Sequence, residues 1–379
     1  MSGPLRVLHL HSSFDRGGKE LRAARLMNAL GRAGLSHDVV SAVPGALAAR
    51  AAIDSGIAVG YPEFPSLAGK PTPGRLRQLA SAMKPYDLVL TYNWGAMDAV
   101  MAHTVFRDIL KLPPLVHHED GFNEDEAERL KTSRNWYRRL ALYRASALVV
   151  PSRKLEAVAL GPWQQPRGRV HLIPNGIPLA AYAKKPRPDA LPRIVKRPGE
   201  LWVGTLAGLR AVKNLPRLVR AFAPLPEEWQ LVILGDGPER DAIKRQALES
   251  GVAHRVHLPG FALDPAKAVG LFDMFALSSD SEQFPISVVE AMAAGLPVAS
   301  PAVGDVREMV SSENRPLICA PNDDAALAAT LQTLAQDPAL RTRIGTANRA
   351  HGRANYDERA MIDSYRALYA AALNRPNFP

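Results

Sequence analysis

Glu282 and Glu290 stand eight positions apart in the stretch SEQFPISVVEAMAAG, on either side of an apolar strip that reads as the start of a helix. Two carboxylates cannot both hold phosphate, but each can accept paired hydrogen bonds from the hydroxyls of a sugar or a ribose. Between them lie Phe284, Pro285, Ile286 and Ser287, where the opening turn of the helix leaves amides unpaired and its dipole favours an anion. One elongated ligand with hydroxyls towards both ends and a phosphate between them would engage all three features.

Other candidates fall at comparable points. Arg210 and Lys213 in AGLRAVKN are two cations three residues apart, the first a fork and the second a point charge, a pairing suited to a diphosphate. Gly17 and Gly18 in SSFDRGGKE precede a helix-like run and let backbone approach a phosphate closely. The G-x-G-x-x-G dinucleotide fingerprint is absent. His117, His118, Glu119 and Asp120 in LVHHEDGF can be read as metal ligands, a base, or polar groups lining a cleft; a closed zinc site lacks a fourth partner at suitable spacing. GDGPERDAI at Gly235 reads as a structural turn.

The elements that must position these residues are short Val- and Leu-rich runs alternating with helical patterns. RVLHLH, DLVLTYN, PPLVHHED, SALVVPS and VHLIPN each end in polar or turn residues, and the rhythm restarts with ELWVGTLAG, WQLVILGDG, RVHLPGF, DMFALSS and PVASPAVG. This predicts an α/β fold with two doubly wound Rossmann-like domains, each a parallel sheet covered on both faces. In such sheets ligands sit beyond the carboxyl ends of strands, which is where nearly every motif above falls. The expected division is 1–178 and 179–358, with AAYAKKPRPDALPRIVKRPGE (180–200) as a linker and a helix at 359–379 packing back onto the first domain.

Length supports two domains, since 379 residues exceed what one core usually serves. Apolar residues make up 47% and charged residues 22%, a globular composition. The single cysteine, Cys319, excludes an internal disulfide and fits a reducing, cytoplasmic setting. The opening MSGPLRVLHLHSSF reads as a first strand and not a signal peptide, and no run approaches the ~18 apolar residues of a membrane span. The net charge of +10 is uneven: residues 1–176 hold 23 Lys and Arg against 15 Asp and Glu, and residues 177–379 hold 24 against 22. Arg129 to Lys154 carries eight basic residues and no acidic one, with Trp136, Tyr137 and Tyr143 among them, which predicts an anionic partner.

Glu282 and Glu290 also form the E-x7-E pattern of retaining nucleotide-sugar glycosyltransferases of the GT-B architecture, and EQFPISVVEAMAAGLPVAS resembles glycosyltransferase family 4. RGGKE, HHEDG, IPNGI, VGTL with VKNLPRLVRAF, LVILGDGPER and RVHLPGF follow in that family's order, so the resemblance spans almost the whole chain. It implies two lobes facing across a cleft, acceptor on the N-terminal one and nucleotide-sugar on the C-terminal one. Glu290 would bind the ribose and Glu282 the donor sugar's hydroxyls, while Phe284 to Ser287 would lie against sugar and diphosphate. Gly260 and Phe261 would meet the base, and Gly17 and Gly18 the phosphates. Arg210 and Lys213 would neutralise the leaving diphosphate, so that no metal or other cofactor is required. His118 or Asp120 would position the donor sugar, with the acceptor attacking from the leaving group's own face. Asn93 and Trp94 are candidates for contact with the acceptor.

The match departs at three places. Gly208 stands where the family's arginine usually precedes the lysine, Gln283 follows Glu282 in place of a common glycine, and Asp120 takes the position of a histidine before Gly121. The expected donor is UDP- or GDP-linked, and the acceptor is a glycan or a polyprenyl-diphosphate-linked sugar in bacterial envelope polysaccharide or exopolysaccharide synthesis. The basic segment would then meet an anionic inner membrane face. Rival readings are a nucleotide-sugar epimerase of the same architecture and a non-catalytic sugar-nucleotide sensor. A nucleic-acid partner is excluded, because the positive charge is not joined to a stacking platform.

Overall fold

The computed structural model describes residues 4–31, 34–122, 124–126, 129–262, 264–376 and 378. The chain divides into two compact units, Met1–Asn175 with Ala360–Pro379, and Gly176–Arg359.

The first unit contains β1 (Leu5–His11), α1 (Gly18–Gly31), β2 (Leu35–Ser41), β3 (Val59–Gly60), α2 (Pro73–Met83), β4 (Leu88–Tyr92), α3 (Met97–Leu110), β5 (Leu115–His118), α4 (Thr132–Ala141), β6 (Ala147–Val150), α5 (Arg153–Leu160) and β7 (Val170–Leu172). Its seven strands are ordered β3-β2-β1-β4-β5-β6-β7. Every pairing is parallel. The side-chain period of two divides the interior into layers. Leu8 and Leu10 pack with α2, α3 and α5, and Val7 with α1 and the C-terminal helix.

The second unit contains β8 (Leu201–Leu206), α6 (Leu215–Phe222), β9 (Trp229–Leu234), α7 (Arg240–Glu249), β10 (Val256–Gly260), β11 (Met274–Ala276), α8 (Ile286–Ala294), β12 (Val298–Pro301), α9 (Val306–Met309), β13 (Ile318–Cys319), α10 (Asp324–Gln336) and α11 (Pro338–Asn355). Its sheet runs β10-β9-β8-β11-β12-β13, again all parallel. The helices start where the chain supplies caps: Asn214, Asp323 and Asp337 accept from the first turns of α6, α10 and α11, and Ser152 does so for α5. The last helix, α12 (Glu358–Leu373), buries Met361, Tyr365, Leu368 and Tyr369 in the core of the first unit.

The expected linker at 180–200 is corrected. Tyr182 and Leu191 are buried in the core of the second unit, and Lys196 bonds Leu271 O at 2.6 Å and Asp273 at 2.5 Å. Its Pro, Lys and Arg density marks a strap whose polar side faces solvent while a few apolar residues anchor it.

On the layer that α1 and α12 cover, the first unit buries a lattice of rings. His11 stacks on Tyr92 with centroids 3.9 Å apart, and Tyr92 stacks on His118 at 4.5 Å. His9 bonds Tyr92 Oη at 3.2 Å and His37 at 2.9 Å. Burial holds His9, His11 and His118 well below the usual imidazole range and takes His37 and His103 down to about 4. These folded values lie below the unfolded one, so the unfolded chain binds the extra protons first. The stability they contribute is whole above about pH 6.5 and is lost as pH falls towards about 4. The melting temperature of the protein is therefore expected to drop steadily through that window, and His37→Gln to make the drop shallower. A flat profile over the same range contradicts neutral buried imidazoles.

Candidate functional site

In the second sheet, β8 pairs with β9 on one side and β11 on the other, so the loops leaving β8 and β11 turn apart and open a crevice at their carboxyl ends. The two loops are clipped together. Ser278 Oγ donates to Lys213 O at 2.9 Å, and Asp280 N donates to Val212 O at 2.9 Å. Asn214 donates to both Asp280 oxygens while its own oxygen caps α6. Beneath them Arg217 is a hub, with Nε on Asp324 at 2.6 Å and Nη1 on both Asp280 at 2.6 Å and Ser278 O at 3.2 Å. The clip delivers Lys213 to Glu282, and the two form an ion pair that Ser279 Oγ joins at 2.7 Å from the carboxylate.

Gly304 backs this loop. Its φ is 57°, and a Cβ there would lie 2.5 Å from Gln283 O and 2.7 Å from Glu282 O. Glycine alone permits that approach.

Pro285 caps α8, and Glu290 stands just over one turn into it, 8% exposed, accepting from Tyr182 Oη at 2.9 Å. Phe284 is buried edge-on against Tyr356. Ile286 and Ser287 occupy the first turn, whose amides lie ahead of the first intrahelical acceptor. Gly260 closes β10 with φ of 104°, and Phe261 beside it is 53% exposed. From β10 to β11 is three strand spacings, roughly 14 Å, so Phe261 and Glu282 mark the two ends of a long shallow edge. Gly235 belongs to the supporting structure, as a Cβ on it would lie 1.8 Å from Ala207 O. Arg210 is exposed and forms no ion pair among the described residues.

In the first unit Asn93 and Asp120 come together: Asn93 N donates to His118 O at 2.8 Å, and Asn93 Oδ1 accepts from Asp120 N at 2.8 Å. Asp120 is gripped through both oxygens by Arg22, whose guanidinium also donates to Asn175 at 2.8 Å. Arg22 is itself buried, and the Asp120 carboxylate keeps it protonated.

Three expectations change here. His118 is 1% exposed, with Nδ1 3.2 Å from Thr91 O and Nε2 3.0 Å from Tyr369 Oη, so it packs α12 against the sheet and presents no atom to a ligand. Trp94 is half-buried, with Arg134 and Arg138 over its ring at 4.8 and 4.7 Å and Tyr137 at its edge, so the chain's own side chains take up part of the ring expected to meet an acceptor. Gly17 and Gly18 do open α1, but the Glu20 carboxylate lies where a Cβ of Gly17 would be, paired with Lys19. The chain's own carboxylate sits against that turn.

The sequence reading missed Arg22, Asn175, Tyr182, Arg217 and Asp280. Asn175 lies within IPNGI and Arg217 within NLPRLVRAF, both noticed as motifs but not as contacts. Tyr182 was hidden by its place in the supposed linker.

Two family models match the chain. A model described as Glycosyltransferase Family 4 matches residues 16–181, and one described as Glycosyl transferases group 1 matches 188–351. The chain is 28% identical over 324 residues to the putative glycosyltransferase EpsF of Bacillus subtilis (strain 168), covering 78% of this chain and 79% of the relative. It is 32% identical over 212 residues to the D-inositol 3-phosphate glycosyltransferase of Xylanimonas cellulosilytica, covering 52% and 51%. Its fold matches the crystal structure of Anabaena Alr3699/HepE in complex with UDP with a TM-score of 0.80 at 22% identity, over 97% of this chain and 100% of that one.

The Arg217 hub generates a prediction. Arg217→Gln removes the grip on Asp280 and Asp324, and should cost about 2–4 kcal/mol in a denaturant melt. It should also raise amide exchange in 278–283 well before the core strands respond. Unchanged exchange in that loop would mean the clip does not set its conformation.

Proposed function

The chain is a glycosyltransferase of the GT-B type, and on that premise we propose that it is a retaining, metal-independent hexosyltransferase. Its donor is a UDP- or GDP-sugar, and its acceptor is a hydroxyl of a glycan or of a polyprenyl-diphosphate-linked sugar in envelope polysaccharide or exopolysaccharide synthesis. The single observation that carries this reading is the Lys213–Glu282 pair held at the switch point of the second sheet, with Glu290 buried behind the first turn of α8. That fits a ligand with sugar and ribose hydroxyls on either side of a diphosphate.

The division of labour follows from charge. Lys213 and Arg210 meet the diphosphate, and the amides of Ile286 and Ser287 add donors at a helix start. Phosphate competes for Lys213, which frees Glu282 to accept from sugar hydroxyls. Glu290 accepts from the ribose while Tyr182 keeps its other side hydrogen-bonded. Phe261 offers an exposed ring to the base. As the bond between the anomeric carbon and the diphosphate oxygen breaks, the acceptor oxygen bonds to that carbon on the same face. The acceptor's proton passes to the departing phosphate, so no enzymic nucleophile enters. Lys213, on the loop that the clip holds, and Arg210 stabilise the charge of the leaving group, which is the electrostatic work a metal performs in other transferases. From the first unit the reading takes Asp120 and not His118, because both nitrogens of His118 are engaged inside the core.

The relatives support the donor and acceptor classes by their own descriptions. Alr3699/HepE has been crystallised with UDP and with UDP-glucose, and other relatives include lipopolysaccharide core glycosyltransferases of Rhizobium meliloti. A place at the cytoplasmic membrane face agrees with such acceptors; among the described residues no helix is long and apolar enough to cross a membrane.

The test is a panel of UDP-, GDP- and ADP-sugars in a chelator, read as nucleoside diphosphate release and as donor-dependent thermal shift. One donor should stabilise the protein, by about 2.7 kcal/mol at a hundredfold excess over its Kd. Lys213→Met should lower turnover about 10²- to 10³-fold while the donor still binds. Glu290→Gln should abolish most of the shift. No shift with any donor, or full activity in Lys213→Met, sinks the proposal.

A further inference from the structure

Ten large hydrophobic side chains are conspicuously exposed among the described residues, and five of them fall on two neighbouring helices of the first unit. Val105 and Ile109, one turn apart on α3, are 51% and 77% exposed. Trp136 and Leu140 on α4, with Tyr143 just beyond it, are 56%, 57% and 65% exposed. The helices lie side by side and run the same way: Tyr137 Oη reaches Asp98 at 2.6 Å, Thr104 Oγ1 reaches Ala141 O at 2.5 Å, and Arg107 reaches Arg144 O at 3.0 Å. Both cover the same layer of the sheet. Their exposed stripes, i and i+4 on one and i, i+4 and i+7 on the other, lie on the outer side of that layer, called here the α3–α4 ridge.

The structure also revises where the charge of this region resides. Much of the basic segment is internally neutralised: Lys131 and Arg134 pair with Asp125, Arg134 and Arg138 with Glu126, and Arg144 with Asp108. Three cations without a carboxylate partner among the described residues stand at the ridge itself. Arg139 lies over the Trp136 ring at 4.9 Å and Arg169 over the Tyr143 ring at 5.8 Å, while Arg107 is held by a carbonyl.

We infer that this α3–α4 ridge is a docking surface for a lipid bilayer that contains anionic headgroups. Val105, Ile109 and Leu140 enter the acyl boundary, Trp136 and Tyr143 lie at headgroup depth, and the guanidiniums on their rings meet lipid phosphates. Each such cation near an anionic leaflet contributes about 1 kcal/mol, and the exposed acids Asp108 and Asp125 are already paired, with Arg144 and with Lys131 and Arg134. A second copy of the chain fits less well, because a two-fold pairing would bring a second set of the same unpaired guanidiniums into one interface and no carboxylates to meet them. The inference deepens the proposed function by naming the surface from which a polyprenyl-linked acceptor would be reached. It does not need that function to be tested.

The full chain is floated with phosphatidylcholine vesicles and with vesicles also containing phosphatidylglycerol, at low and high salt. Binding is expected to the anionic vesicles and to weaken several-fold as salt rises. Ile109→Ser/Leu140→Ser should reduce binding at least tenfold with the melting temperature and nucleoside diphosphate release unchanged, and Arg139→Gln should flatten the salt dependence. Absence of flotation, equal binding to neutral vesicles, or a double variant that binds like the parent would overturn the inference. So would a dimer in solution that the double variant converts to monomer, since the ridge would then be covered by a second copy. Because vesicle binding and diphosphate release are read separately, a protein that binds vesicles but turns over no donor would leave the docking surface standing and the transferase reading fallen.

Discussion

Parallel pairing of every strand is the constraint on which the rest of this protein depends. It sends all strand ends of a sheet to one edge and forces the connections over one face or the other. Between β8 and β11 the connections part in opposite directions, and beyond the backbone bond from Asp280 N to Val212 O the polar groups of the two loops there need other partners. The chain fills that need with side chains. Asn214, Arg217, Ser278 and Asp280 tie the two loops together, and Lys213 and Glu282 are left as the polar groups presented by the tie. Donor recognition on this reading is a by-product of repairing the sheet's edge, with the same charges serving structure and ligand.

The first unit meets the same constraint at β1 and β4 in another way. Gly95 lets the turn after β4 approach the backbone of Ser12 so closely that a Cβ would lie 2.7 Å from the Ser12 Cα. Behind that contact the crevice is closed by rings and by Arg22, which joins Asp120 to Asn175. Two side chains from distant strand ends meet both terminal nitrogens of this buried guanidinium, while its Nε has no hydrogen-bond partner among the described residues.

Much of this was legible in the residues. Alternating short apolar runs and helical patterns announced two parallel sheets, and the order of motifs placed the polar loops at strand ends. Lys213, Glu282 and Glu290 stand out in the sequence because their types and spacing suit one ligand. What stayed hidden depends on direction and distance. HHEDG does not reveal that His117, His118 and Glu119 are all buried, His118 beneath α12, while Asp120, beyond the end of β5, stays half-buried at the edge. Arg22 and Asn175 are 153 positions apart, and nothing local marks them as partners. The strap at 180–200 misled for a compositional reason: its exposed Pro, Lys and Arg outnumber the few anchors, Tyr182 and Leu191, that bind it to the second unit.

The return of α12 to the first unit has a consequence for how the chain is made. Residues 176–359 form a continuous unit that leaves the ribosome with all its strands, whereas the first unit, although synthesised earlier, lacks Met361, Tyr365 and Tyr369 until translation has passed them. Until then one layer of its sheet, with His9, His11, Tyr92 and His118, has no cover on the side that α12 occupies. Domains usually mature in the order of their synthesis. This chain inverts that order, so the half expected to receive the acceptor is completed last, and a nascent chain must keep an uncovered ring-lined face from sticking elsewhere for nearly two hundred residues of further elongation.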